Sequence, residues 1–274
     1  MIESLEYKGC NFAWRIEGAG PPLVVIEGVG AFGKSPSPLT EILKNHFTIL
    51  SFDNRGIGAS EPAAVPLSIE QMADDTLALM NHLGWHSAHI VGHSMGGLIA
   101  QQLALTAKPR VRTLSLLCTF ARGADATRMS ARVFWIGLRL RLAPRRIRRK
   151  AFMELVVPPG GEPRNADELA AMLSGVFGHD IADLPPVSNR QLDAMKRCDV
   201  TPRLHELAGI PTLVISAEHD LIARPASGRS IAAGIPGAKY TEIPGASHAF
   251  PVMEPERCAE MILEHTTGEH ISSA

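Results

Sequence analysis

The chain has 274 residues, 45% of them hydrophobic, and a formal net charge of −1 at neutral pH. That length and apolar fraction suffice for one sizeable core with an inserted subdomain, and no second full domain is required. The near-neutral charge offers no general attraction for nucleic acid, and the apolar stretches are too short to span a bilayer.

In chain order, Met1-Ile2-Glu3-Ser4-Leu5-Glu6 lacks the basic start and apolar middle of a signal peptide, so a cytoplasmic protein is expected. Residues 2–18 read as two antiparallel strands. Strands and helices then alternate as far as Leu114–Cys118, which predicts an α/β fold with a mostly parallel central sheet flanked by helices. Residues 121–200 break the alternation with arginine, methionine, helix formers and prolines at 144, 158, 159, 163, 185 and 186. This stretch reads as an inserted helical cap. Alternation resumes after Arg203 and ends in a helix near Pro255–His265, followed by a polar tail. The expected division is a core in two parts, 1–120 and 201–274, with the cap over 121–200 between them.

The chemistry centres on Val91-Gly92-His93-Ser94-Met95-Gly96-Gly97. The preceding Ala88–Val91 has the look of a short buried strand, and Leu98–Leu105 has helical periodicity. A serine at that junction sits on a sharp turn with φ > 0, and Gly92 and Gly96 keep the corners free of side chains. The hydroxyl then projects above the sheet edge beside the amide of Met95 at a helix N-terminus, half of an oxyanion hole. Helix capping is the competing role for an isolated match. A nucleophilic serine needs a base and a group to orient that base. Asp220 follows the apolar strand Ile210–Ala217, and His248 follows the strand Ala238–Ile243 and the turn Pro244–Ser247. Loops at the carboxyl ends of parallel strands share one edge, so Ser94, Asp220 and His248 can meet.

Taken with Asp53-Asn54-Arg55-Gly56-Ile57-Gly58-Ala59-Ser60 and Pro22–Gly30, these motifs resemble the α/β-hydrolase superfamily over nearly the whole chain, in its serine-dependent branch with a helical cap. The resemblance implies Val29 as the second oxyanion donor. Many relatives have histidine where Glu27 stands; the backbone donor survives, and a carboxylate there either disfavours anionic substrates or makes another polar contact. The implied activity is hydrolysis of a small-molecule carboxylic ester or lactone, with no cofactor and no metal. Carbon–carbon bond hydrolases of ring-cleavage products, acyl transfer to an alcohol or peroxide, and a non-catalytic ligand-binding member of the fold stay open. Serine at the elbow speaks against the aspartate-nucleophile dehalogenase and epoxide-hydrolase mechanisms. The expected partner is a small-molecule substrate, with self-association left open.

Other residues carry weaker signals. His93 beside the serine is expected to line the pocket, and Glu218 is a substitute acid to Asp220. His219 is poorly placed as a base because it immediately precedes that acid. His82 and His86 read as a helix-end surface pair, since no third zinc ligand is obvious. Asp53 has a structural role by default. Arg139, Arg141, Arg145, Arg146, Arg148, Arg149 and Lys150 form a basic cluster, either a solvated face paired with acids or an anion site for a carboxylate, a phosphate or a membrane surface. The solvated face is favoured. Phe134, Trp135 and Leu138 are assigned to the cap core or pocket wall rather than to a membrane anchor. Cys10, Cys118, Cys198 and Cys258 form no metal motif and read as free buried thiols.

Overall fold

The computed structural model describes residues 3–61, 67–127, 130–160 and 166–268. Pro163, residues 1–2 and the tail beyond Gly268 lie outside them. Eight strands form one sheet: β1 (Glu3–Tyr7), β2 (Cys10–Glu17), β3 (Pro22–Ile26), β4 (Thr48–Phe52), β5 (Ala88–His93), β6 (Val111–Leu117), β7 (Thr212–Ala217) and β8 (Lys239–Ile243). Their order is β1-β2-β4-β3-β5-β6-β7-β8. The first two pairings, β1 with β2 and β2 with β4, are antiparallel, and all later ones are parallel. Lys8 and Gly9, both at positive φ, make the two-residue turn that closes the first hairpin. Strands β3, β5 and β7 are covered on both faces and therefore read as continuous apolar runs rather than alternating ones.

Helices α1 (Pro38–Leu43), α2 (Ile69–His82) and α3 (Met95–Thr106) occupy the first part of the chain. Ser37 and Thr40 form a reciprocal capping box at α1, and the Ser68 hydroxyl accepts the Gln71 amide at 3.1 Å at the start of α2. Between β6 and β7 the chain makes α4 (Ala131–Leu142), α5 (Arg145–Val156), α6 (Ala166–Phe177) and α7 (Val187–Arg197). Pro144 separates α4 from α5, where it opens the second helix without needing an amide donor. Then follow α8 (Pro225–Gly234), α9 (Phe250–Met253) and α10 (Pro255–Thr267), the last ended by Gly268 in the left-handed conformation.

Two apolar clusters result. The larger joins the sheet to α1–α3, α8 and α10; the smaller joins Phe152, Met153, Val156 and Leu173 of the inserted helices to Ala249, the residue after His248. The Ala249 amide also donates to the Val156 carbonyl at 2.9 Å, so the insertion is tied to the His248 loop by backbone as well as by packing. Arg55 is fully buried and binds Asp75 of α2 bidentately at 2.6 and 2.9 Å, and it also donates to the carbonyls of Tyr7 and Lys8. One side chain thereby fixes the hairpin, the glycine loop and α2 together. All four cysteines are free and buried.

Candidate active site

Strand β5 ends at His93 and α3 begins at Met95, so Ser94 alone makes the corner, with φ 56° and ψ −122°. Such a backbone is strained for a residue with a Cβ and persists only when its surroundings hold it. Here the Ser94 amide donates to the Leu117 carbonyl at 3.0 Å, and the Ser94 carbonyl accepts from the Gly97 amide at 3.0 Å and the Thr119 hydroxyl at 2.6 Å. A Cβ on Gly96 would collide with the Ile26 carbonyl, and one on Gly92 with the carbonyl of Gly96. The corner therefore tolerates only glycine at both positions. The Ser94 side chain makes no capping hydrogen bond to α3, unlike Ser37 and Ser68 at their helices. Met95 is the first residue of α3, so its amide has no acceptor within the helix. Gly28 packs against Ser94, which sets the Glu27–Gly30 loop, with Val29, beside the serine.

Asp220 and His248 follow the adjacent strands β7 and β8. The His248 Nδ1 donates to Asp220 Oδ2 at 2.7 Å, and both residues are buried. The other carboxylate oxygen, Oδ1, accepts the amides of Ile222 at 2.7 Å and Ala223 at 2.8 Å. With its proton on Nδ1, the imidazole keeps Nε2 as an acceptor. Cys118 lies against Asp220; burial and the neighbouring carboxylate push its thiol well above the ordinary range, so it stays protonated. Glu218 and His219 are exposed, and a Glu218 oxygen accepts the Gly245 amide at 2.8 Å. Asp220, not Glu218, is the acid that His248 meets.

Ser94 and His248 line one cavity of about 270 Å³. Its walls are mainly apolar, with Val25 and Leu117 from the sheet and Phe152, Val156, Phe177 and Met195 from the insertion. Glu27, Ser37 and His93 are the remaining polar residues of the lining. Phe134, Trp135 and Leu138 require a correction: they do not line the cavity and are exposed. The reason is helical phase. At about 100° per residue, Val133, Ile136 and Leu140 share the inner side of α4; Val133 and Leu140 reach the cavity and Ile136 is buried. Two contacts from the insertion hold the loop beside Ser94: the Gly30 amide donates to Gln191 Oε1 at 3.0 Å, and His179 Nε2 donates to the Gly30 carbonyl at 2.9 Å. Neither residue carries a local sequence signal, because each meets its partner more than a hundred positions away.

Glu27 and His93 meet in this lining, with His93 Nδ1 4.0 Å from a Glu27 oxygen. Burial without an opposite charge raises the Glu27 carboxyl from 4.5 to about 7. Burial, reinforced by His248, lowers His93 to about 3. Between those values both side chains are neutral, so their approach is not an ion pair. His93 Nε2 instead donates to the His248 carbonyl at 3.0 Å, with the two rings 4.9 Å apart. A pH-dependent stability follows. Below about pH 4.5 the carboxyl is protonated in both folded and unfolded chains, and its burial carries no ionisation penalty. Between 4.5 and 7 the unfolded chain ionises first and the native state loses stability; above 7 the loss levels off at roughly 3 kcal/mol. Glu27→Gln is therefore expected to raise the melting temperature over the parent much more at pH 8 than at pH 5. Thermal unfolding at the two pH values checks this, and an equal difference at both would remove Glu27 as the cause.

The basic cluster divides. Arg139 pairs with Glu154 at 2.6 Å, Arg145 and Arg149 pair with Asp180, and Arg145 and Arg148 pair with Asp183. The Arg149 guanidinium holds the Asp180 carboxyl well below the usual carboxylate range. No cluster arginine lines the cavity. Arg141, Arg146 and Lys150 are exposed and have no ion-pair partner among the described residues. Asp53 accepts the amides of Lys34 and Ala59, each at 3.1 Å, and ties the loop after β3 to the glycine loop. His82 and His86 are exposed at and beyond the end of α2. Among the described residues, no group of three or more histidine, cysteine or acidic side chains is placed to hold a metal ion.

Comparison with known proteins gives a consistent family. A family described as alpha/beta hydrolase fold matches residues 21–255. The chain is 29% identical over 252 residues to the protein named carbamate hydrolase RutD of Azorhizobium caulinodans, covering 91% of this chain and 92% of that one. It is 30% identical over 252 residues to the protein named non-heme bromoperoxidase BpoC of Mycobacterium tuberculosis, covering 90% and 94%. Among solved structures, the enol-lactonase of Burkholderia xenovorans LB400 superposes with a TM-score of 0.80 at 28% identity, covering 97% of this chain and all of that one.

Proposed function

Because the chain belongs to the alpha/beta hydrolase fold family, we propose that it is a serine hydrolase of small, neutral, largely apolar carboxylic esters or lactones. The observation that carries this reading is the Asp220–His248 hydrogen bond, which leaves His248 Nε2 as an acceptor in the cavity that Ser94 also lines. His248 takes the Ser94 proton as the hydroxyl oxygen bonds to the substrate carbonyl carbon. The amides of Val29 and Met95 receive the negative charge that develops on the carbonyl oxygen. Collapse breaks the bond to the leaving alkoxide, which takes the proton from His248. Water then repeats the sequence on the acyl-enzyme, with His248 again as base, and releases the acid. The inserted helices act as a cap whose inner side, from Val133 to Phe177, selects the substrate.

Neutral substrates are favoured because an ionised acyl chain would be stripped of water in an apolar cavity with no cation among its lining residues. Glu27, when ionised, adds like-charge repulsion. A second reading, acyl transfer to hydrogen peroxide, is supported by the likeness to the protein named non-heme bromoperoxidase. The acyl-enzyme is the same and only the acceptor differs.

The test is a panel of esters and lactones, neutral and carboxylate-bearing, combined with fluorophosphonate labelling and peptide mapping. Neutral substrates are expected to exceed their carboxylate-bearing counterparts in kcat/KM by at least about tenfold, with label on Ser94. Label elsewhere would overturn the serine mechanism, and a preference for anionic chains would overturn the substrate class. Peracid formed with hydrogen peroxide, faster than acid released to water, would favour the second reading.

A further inference from the structure

Helix α4 is apolar on two sides. Its inner side carries Val133, Ile136 and Leu140. Phe134, Leu138, Leu142 and Trp135 fall within an arc of about 100° on the outer side, and all four are exposed, Trp135 by 60% and Leu142 by 77%. Arg141 borders that arc on one edge and Arg139 on the other. Just beyond Pro144, the first turns of α5 carry exposed Arg146, Ile147 and Lys150. Exposed aromatic and aliphatic side chains gathered on one arc of a helix and bordered by cations are unusual on a surface that meets only water.

We propose that this outer face of α4 and the first turns of α5 form a docking surface for an anionic lipid bilayer. A single convex helix cannot engage a rigid partner without a groove to receive it, whereas a headgroup and acyl boundary deforms around it. Phe134, Trp135, Leu138 and Leu142 enter that boundary. The long arginine and lysine side chains at the rim extend their charges to the phosphates, with their aliphatic stems along the apolar surface. The charge state of the rim selects the occupant. The nearby acids Glu154, Asp180 and Asp183 are already engaged by Arg132, Arg139, Arg145, Arg148 and Arg149. Arg141, Arg146 and Lys150 are left to meet outside anions. A second copy joined through the same face by two-fold symmetry would bring six uncompensated cations together, which disfavours self-association. Docking would also set the opposite side of α4, the wall with Val133 and Leu140, directly behind the bilayer contact. The inference does not depend on the reaction, since it concerns binding alone.

The experiment is co-sedimentation of the full chain with phosphatidylcholine vesicles, with and without phosphatidylglycerol, read together with tryptophan emission. Trp14 is buried and Trp85 partly so, which makes Trp135 the exposed reporter. Binding to the phosphatidylglycerol vesicles is expected to exceed binding to phosphatidylcholine alone by at least about tenfold, with a blue shift of emission and weakening by salt. The triple variant Arg141→Gln, Arg146→Gln, Lys150→Gln should lose at least about tenfold of that binding. The double variant Trp135→Ser, Leu142→Ser should lose both the binding and the blue shift. All these side chains are exposed, so the parent melting temperature and turnover of a water-soluble ester should persist in each variant. Absence of binding to anionic vesicles, or equal binding by parent and variants, overturns the proposal. A concentration-dependent dimer that Trp135→Ser and Leu142→Ser dissolve would assign the face to a second copy and overturn it equally.

Discussion

Ser94→Ala and His248→Ala are each expected to lower ester hydrolysis by roughly 10⁴- to 10⁶-fold, and the double variant to be little worse than either single one. The non-additivity is the informative part. A serine without its base is a poor nucleophile, and a base without the serine has nothing to deprotonate, so removing the second member of a unit costs almost nothing further. The two single variants differ in what they do to the fold. Ser94 makes no capping bond through its side chain, and alanine keeps the backbone donors and acceptors that hold the corner at Leu117, Gly97 and Thr119. His248→Ala instead strips Oδ2 of the buried Asp220 carboxylate of its His248 partner, leaving the two amides on Oδ1, which costs stability as well as activity. Steady-state rates must therefore be read beside melting temperatures, and Ser94→Ala is the cleaner of the two. Near-parent turnover in Ser94→Ala would sink the serine mechanism outright.

The parts of this molecule that were legible in the sequence are those in which a local rule and the topology point the same way. Gly92 and Gly96 flank a serine between a buried run and a helical one, and only a sharp strand-to-helix corner needs glycine on both sides. Asp220 and His248 each follow a strand, and neighbouring parallel strands deliver the following loops to one edge, which is where the two side chains bond. The alternation of apolar runs and helices led directly to a mostly parallel sheet.

What stayed hidden depends on phase or on distance. Helix α4 has apolar residues around most of its circumference, so periodicity alone does not say which side turns inward; Val133 and Leu140 took the cavity, and Phe134, Trp135 and Leu138 were turned out. Gln191 and His179 hold Gly30 from a different part of the chain, and a glutamine or histidine on a helical insertion gives no hint of that errand. Glu27 stood out in the sequence as a departure from the pattern that the resemblance implies. Its chemistry, a carboxyl raised to about 7 by burial beside a neutral His93, follows only from the three-dimensional surroundings.

Asp220→Asn is expected to reduce turnover on the order of 10⁴-fold while leaving the cavity shape nearly unchanged. The effect follows from the hydrogen bonds of one carboxylate. Oδ1 of Asp220 accepts the Ile222 and Ala223 amides, and an asparagine satisfies both donors only by keeping its carbonyl oxygen there. Its NH₂ group then faces His248 Nδ1 where a carboxylate oxygen now stands. A donor opposite Nδ1 forces that nitrogen to become an acceptor, so the proton moves to Nε2, and an Nε2 that carries a proton cannot remove one from Ser94. The variant also loses the negative charge that favours the imidazolium formed during the reaction. Glu218→Gln should change turnover by less than about twofold, in keeping with substitutions at exposed sites, because its exposed side chain accepts the Gly245 amide, which a glutamine oxygen also accepts, and otherwise approaches exposed His219 at 3.9 Å rather than His248. Steady-state kinetics of the two variants on one neutral ester decide the matter, and a large loss in Glu218→Gln with Asp220→Asn spared would transfer the acid's role to Glu218.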